Sequence, residues 1–435
     1  MAFSSLRNAS RNRLGHYTHN KITSIRDSLA LGYEILAKYF MLTRPVSALA
    51  YPSTEFKRDL RIDFLRGLIM LVVITVHLEY FSLFALFVWG RVGLVSSAEG
   101  FVAMSGLVVG IVYCKKLQTD GFRPTAQKLL ARSFQLYRVN VALILSIALL
   151  GLLPFINVYE VTHWMSPGTR SPAYALYPPP ATPWYDVLLQ ALLLKIGPHQ
   201  FQVIGLYVVL MACARTALFF MHKKHTKLLL LVSWSVYLVN QIMQHKLTGA
   251  RFEWAFPILT WQLLFFNCMA AGYHRQAIID YFDAKKSLLT LNAATLISLW
   301  FMFMAFNNPR QIFWPWEPLS FIDPNLFQAA YELAFDKNRL GIGRVLNNLT
   351  LFIVAYGLLT RYWHMFNKSL GWLLIPLGQA SLYVFIVHVY FVLLISNTPI
   401  RAYNNFYLNT LVHTGSILAI WLMVKNQILF KLIPR

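Results

Sequence analysis

Charge of either sign is scarce in this chain. Asp, Glu, Lys and Arg make up 13% of its 435 residues, while apolar residues make up 57%. A water-soluble domain of this length needs roughly twice that charged share, about a quarter, to cover its surface, so a soluble globular enzyme is excluded. Acidic residues are the rarer class, 17 against 39 Lys and Arg, which leaves a net charge of +22. Such an excess would suit nucleic acid, but the basic residues fall in short runs between apolar stretches, as cytoplasmic loops do, and no nucleic-acid partner is expected. Cysteine is nearly absent. Cys114, Cys213 and Cys268 lie in or at the ends of apolar segments and form no CxxC pair, so neither a disulfide framework nor a metal centre is expected. No cleavable signal is expected either, because the first 60 residues are polar and basic with no apolar core of the needed length.

What the chain has is continuous apolar runs, each near the roughly 20 residues that a spanning helix needs. They fall at about 62–81, 94–114, 138–157, 200–220, 227–243, 254–273, 287–306, 341–360, 378–396 and 406–424. Apolar runs without alternation exclude a β-barrel. The reading is an all-α integral membrane protein, a bundle of about ten transmembrane helices. With both termini placed in the cytoplasm, 27 of the 39 Lys and Arg fall on the inner side and 9 on the outer, which supports that orientation. Residues 1–56 form an N-terminal extension. Within it, Ile22, Ile25, Leu29, Leu36 and Phe40 recur at helical spacing and predict an amphipathic helix over 20–42 on the inner membrane surface; a partly disordered tail is the other reading. Residues 57–435 form the membrane domain. Two outer loops are long. Residues 158–199 include the apolar stretch Trp184–Ile196, which predicts a helix lying in or dipping into the membrane, and 307–340 is rich in Pro and Trp.

The densest chemistry lies in the first run, Arg58-Asp-Leu-Arg-Ile-Asp-Phe-Leu-Arg-Gly67 through His77 and Glu79. Ionisable residues inside a spanning segment are costly and mark function by default. Asp63 and Arg66 are three apart and pair on one helix face. Arg66 and His77 are eleven apart, three turns, so they share a face with about 16 Å between them along the axis. One face thus carries a cation near the inner end and an imidazole deeper, which suits a substrate anionic at one end and reacting at the other. Snorkelling for Arg66 and an interhelical hydrogen bond for His77 are the plain alternatives.

An Arg, ten residues and a His on the first helix resembles the signature of the type-three membrane acyltransferases. The stretches Asp59–Gly67, Ser97-Ala-Glu-Gly-Phe-Val-Ala-Met-Ser-Gly106 and Gly378-Gln-Ala-Ser-Leu-Tyr-Val-Phe-Ile-Val-His388 resemble, more closely, the OpgC family, known for succinylating osmoregulated periplasmic glucans. The resemblance runs from about residue 57 to 425. The segment Gly197–Tyr207 follows the family pattern loosely, with Gln202 where an acidic residue is expected.

The resemblance implies acyl transfer across a bacterial inner membrane, from cytoplasmic acyl-CoA (succinyl-CoA or acetyl-CoA) as co-substrate to a hydroxyl of an extracytoplasmic glycan. His77 is then the general base or a transient acyl carrier. Arg66 and Asp63 hold the donor end, and the basic rim of Arg58, Arg61, Lys115 and Lys116 receives the phosphates of coenzyme A; ordinary inner-side charge also accounts for that rim. Glu99, opening the second helix, orients His77, binds sugar hydroxyls, or is an interfacial carboxylate. His388, with Tyr383 nearby, forms a second wall of the site or has a packing or hydrogen-bonding role. Arg344, with Arg339, reads the free carboxylate of a dicarboxylic acyl group or pairs with an interhelical acid. Trp164, Trp184, Trp254, Trp314 and Trp316 lie on or near the outer side, where rings stack on sugars or anchor the protein in the interface. A carrier without chemistry, and a scaffold retaining relic residues, are the competing classes.

Overall fold

The computed structural model describes residues 58–434 apart from 89, 166–171, 283, 310–316 and 401–404. The expected helix over 20–42, Trp314 and Trp316 lie outside the described residues. The rest is almost wholly helical. We number the main helices α1 Leu60–Leu78, α2 Ser97–Asp120, α3 Phe122–Leu150, α4 Trp184–Leu192, α5 Gln202–His222, α6 Thr226–Met243 and α7 Ile258–Tyr273. Then follow α8 Ala284–Phe306, α9 Pro324–Ala334, α10 Ile342–Arg361, α11 Trp363–Gln379, α12 Ser381–Ser396 and α13 Phe406–Lys425. Two short antiparallel strands, β1 His163–Met165 and β2 Pro172–Ala175, are the exception, with Trp164 opposite Tyr174.

Among the described residues, seven helices are long and apolar enough to cross a membrane: α2, α3, α5 with its leading turn, α6, α8, α10 and α13. The pair α11 and α12 would make an eighth, but it is bent by 90° at Ala380. Helix α1 falls outside the set because Arg61, Asp63 and Arg66 interrupt its apolar run, and α7 because it has only 16 residues. Among the described residues, seven or eight of the ten expected crossings thus pass on length and composition, and α1 and α7 are the two that do not.

Local sequence sets the boundaries. Asp59 caps α1 by accepting from the Arg61 amide, and Ser96 with Glu99 forms a capping box on α2. Helices α2 and α3 extend well past their apolar cores, so 115–138, expected as a loop, is helical except at Gly121, whose φ of 77° turns the chain. Basic residues continue a helix as readily as they end one, and hydropathy does not see the difference. In the second long loop, Asp323 and Pro324 start α9, a cap followed by a proline at the first helical position.

Two glycine interfaces bring backbones into contact. A Cβ on Gly67 would stand 1.9 Å from the Leu374 carbonyl oxygen, and one on Gly378 would stand 1.8 Å from that of Asp63. Helix α1 is thereby locked against α11, just before the bend. Gly106, Gly110 and Gly272 do the same between α2 and α7. Substitution at any of these separates two helices rather than filling a void.

Candidate active site

Helix α1 presents Arg66 and His77 to one neighbour, α12. Arg66 Nη2 donates to Ser381 Oγ at 2.5 Å, and His77 Nδ1 lies 2.8 Å from His388 Nε2. The partners are eleven apart on α1 and seven apart on α12. The difference is about 6 Å of helix, which the long Arg66 side chain takes up. The two imidazoles stack with centroids 5.0 Å apart, 19° from parallel. His388 is buried, and its Nδ1 has no hydrogen-bond partner among the described residues. A third imidazole, His199, stands 6.3 Å from His77 on the turn before α5.

At the other end of that face, Asp63 accepts a fork from Arg58 at 2.7 Å on both oxygens and lies 3.6 Å from Arg66. Beside Arg66 is a cavity of about 50 Å³, lined by Arg66, Arg132, Ser105, Tyr207, Ser381 and the apolar side chains of Met70, Phe101 and Met104. Arg132 comes from α3, where it bonds Gln135. The N-terminus of α12, freed by the bend, adds its positive pole to this wall. Between the cavity and the histidines stand Phe101 and Phe385, stacked 5.1 Å apart, with Phe385 in turn 5.1 Å from His388.

Other predicted residues are placed differently. Arg61 is fully buried, bonded to Asp59, Tyr356 and Thr360, so it belongs to a structural knot and not to an open basic rim. Arg275 joins that knot on Asp59. Burial would raise the Asp59 carboxyl, but the hydrogen bonds and charges of Arg61, Tyr356 and Arg275 outweigh it and hold it below its ordinary 3.8. Lys115 is exposed, and Lys116 lies over the Tyr113 ring at 5.2 Å. Glu99 does not touch His77. Its oxygens go to Ser96 and, at 2.5 Å, to Arg344 Nε, with both charges buried. Arg344 also donates to the Phe335 carbonyl at 3.1 Å, so the interhelical pairing is what the structure contains. Arg339 lies half-exposed, 3.6 Å from Asp336. Tyr383 is buried with its ring on Phe430, 4.8 Å away, and not beside His77.

Three site residues escaped the sequence reading. His199 sits in the loosely matching segment and carries no spacing signal. Arg132 looked like loop charge. Lys337, half-buried, extends from the turn after α9 to 5.7 Å from the Phe256 ring, and its charge acts on His77, His199 and Glu99. Burial lowers its ammonium from the ordinary lysine value while Glu99 pulls it back. Among the described residues no group of three or more His, Cys, Asp or Glu side chains is placed to hold a metal ion.

A multi-pass helical bundle with a stacked histidine pair at one end of a face and an arginine cavity at the other defines the class. The chain belongs to the OpgC protein family, whose model matches residues 58–431. No curated protein and no solved structure matches it.

Proposed function

We propose that the protein is a membrane O-acyltransferase that moves an acyl group, succinyl or acetyl, from cytoplasmic acyl-CoA to a hydroxyl of an extracytoplasmic glycan. Family membership points to glucan modification, and one observation carries the chemistry: Arg66 and His77, three turns apart on α1, are both held by α12. In this reading the ten apolar helices cross the membrane with both termini in the cytoplasm. The arginine cavity then faces the donor and the histidine pair faces the acceptor.

The 2.8 Å contact between His77 Nδ1 and His388 Nε2 needs one proton, and the reading places it on His77 Nδ1. His388 Nε2 then accepts from His77 Nδ1–H, and His77 Nε2 keeps a lone pair. That lone pair takes the proton of a sugar hydroxyl as its oxygen attacks the thioester carbonyl. The tetrahedral intermediate collapses with cleavage of the C–S bond. The thiolate leaves with the proton from His77, giving free thiol and an ester. Direct attack by Nε2 on the thioester, forming an acyl-imidazole, uses the same geometry. Arg66 and Arg132 supply positive charge to the donor end.

The 90° break at Ala380 is a feature that carriers also use, so transport without chemistry is the second reading. Thiol release separates them. Purified protein incubated with succinyl-CoA or acetyl-CoA and β-linked glucose oligosaccharides is expected to release thiol in an acceptor-dependent way, and His77→Ala to abolish it. Folded protein that releases none with any acceptor would refute acyl transfer.

A further inference from the structure

A row of aromatic rings leads from the histidine pair to the surface at that end of the bundle. His199 is 6.3 Å from His77, Trp164 is 6.2 Å from His199, Tyr174 is 5.6 Å from Trp164 and Trp254 is 5.4 Å from Tyr174. Trp164 and Tyr174 face each other across the two strands, nearly parallel at 6°, the offset arrangement that aromatic pairs prefer. Trp254 is 42% exposed, with Lys246 Nζ 3.8 Å and the Arg251 guanidinium 5.7 Å from its centroid.

The row is rigidly built. Trp254 ends the turn Arg251–Trp254, and the buried Glu253 carboxylate within that turn accepts from the amides of Leu247, Thr248 and Gly249 at 2.7–3.1 Å. The Arg251 amide is tied to the Lys195 carbonyl. An interfacial anchor needs none of this. Trp184, 76% exposed on α4, shows what a lone anchor looks like here.

Resting on the acyl-transfer reading, we infer that Trp164, Tyr174 and Trp254, with Lys246 and Arg251 beside them, are the acceptor subsite, a platform on which successive sugar rings of a glycan stack and which delivers a hydroxyl to His77. A sugar has C–H faces that pack on aromatic rings and a rim of hydroxyls that need donors and acceptors. The platform offers both, and each of its steps is about the size of one sugar ring. Burial raises the Tyr174 phenol to about 12, so it stays protonated and available as a donor. The flanking cations favour a glycan that carries anionic substituents.

The test reads binding apart from catalysis. In the His77→Ala background, saturation-transfer NMR with β-linked glucose oligosaccharides is expected to detect contact, with affinity falling about tenfold, or about 1.4 kcal/mol, in Trp254→Ala and in Trp164→Ala. Trp254→Phe, which keeps a ring, is expected to lose no more than about threefold, and Trp184→Ala to bind as the parent does. Undiminished affinity in folded Trp254→Ala overturns the subsite, even if wild-type protein acylates glycans. A wild-type protein that acylates another acceptor yet gives no contact with oligosaccharide also overturns it and leaves acyl transfer standing. Oligosaccharide bound on these rings by a protein that cleaves no thioester keeps the platform and overturns the enzyme.

Discussion

His388 acts in this account by positioning His77, and that makes a pair of substitutions informative. In the proposed tautomer the 2.8 Å contact holds the proton on His77 Nδ1, and His388 is 1% exposed, so water cannot replace it freely. Replacing His388 by Leu leaves the His77 N–H without its acceptor. An unsatisfied buried donor costs about 1–3 kcal/mol, which here appears as loss of the productive tautomer and orientation, so kcat is expected to fall about 5- to 150-fold. His388→Gln retains a carbonyl oxygen able to accept the same proton and is expected to stay within about tenfold of wild type. The assay is initial-rate thiol release at saturating donor, with the pH profile of kcat recorded for each variant. Equal activity of wild type and His388→Leu would refute the positioning role. Equal loss in Leu and Gln variants, with both folded, would show that His388 serves through its ring and not through its hydrogen bond.

The remaining expectations concern the two ends of the site and its support. Arg344 is paired with Glu99, and we propose that Lys337 reads the free carboxylate of a succinyl group in its place. Lys337→Met should therefore lower succinyl transfer about tenfold relative to acetyl transfer, about the value of one charged hydrogen bond, and an unchanged ratio would dismiss the idea. Arg132→Ala should raise KM for acyl-CoA about 10- to 100-fold with a smaller effect on acceptor KM; the reverse pattern would place the donor elsewhere. Asp59→Asn should cost about 3 kcal/mol of stability at neutral pH, because it strips a carboxylate from buried Arg61. The folded Asp59 carboxyl lies below its ordinary 3.8, so its contribution is present above that value and lost as pH falls through the lower, folded value. The difference in melting temperature between wild type and Asp59→Asn should therefore close in strong acid, and a constant gap would contradict it.

The site's axis was legible because a helix has a fixed period. Eleven residues put Arg66 and His77 on one face, and three put Asp63 beside Arg66, whatever the fold. Helix positions were legible for the same reason, through runs of apolar residues. What the sequence does not carry is partner choice. Nothing local distinguishes Arg344, held by Glu99, from Lys337, which lies over the Phe256 ring; the choice depends on how the turn after α9 packs. Arg61 and Arg58 read alike as rim charges, yet one is buried in a knot assembled from residues nearly 300 positions away. His199 and the Trp164–Tyr174 pair gather around His77 only after the strands and the turn before α5 fold over it.

The central claim is that an acyl group, and not an intact solute, crosses the membrane and becomes an ester on a sugar. Proteoliposomes containing the protein, with isotope-labelled succinyl-CoA on the arginine side and β-linked glucose oligosaccharide on the histidine side, test this directly by mass spectrometry. The account predicts labelled sugar ester on the oligosaccharide side, free thiol on the donor side, and neither with His77→Ala. Labelled succinyl-CoA or free succinate appearing across the membrane without ester, and undiminished in His77→Ala, would show a carrier and contradict it.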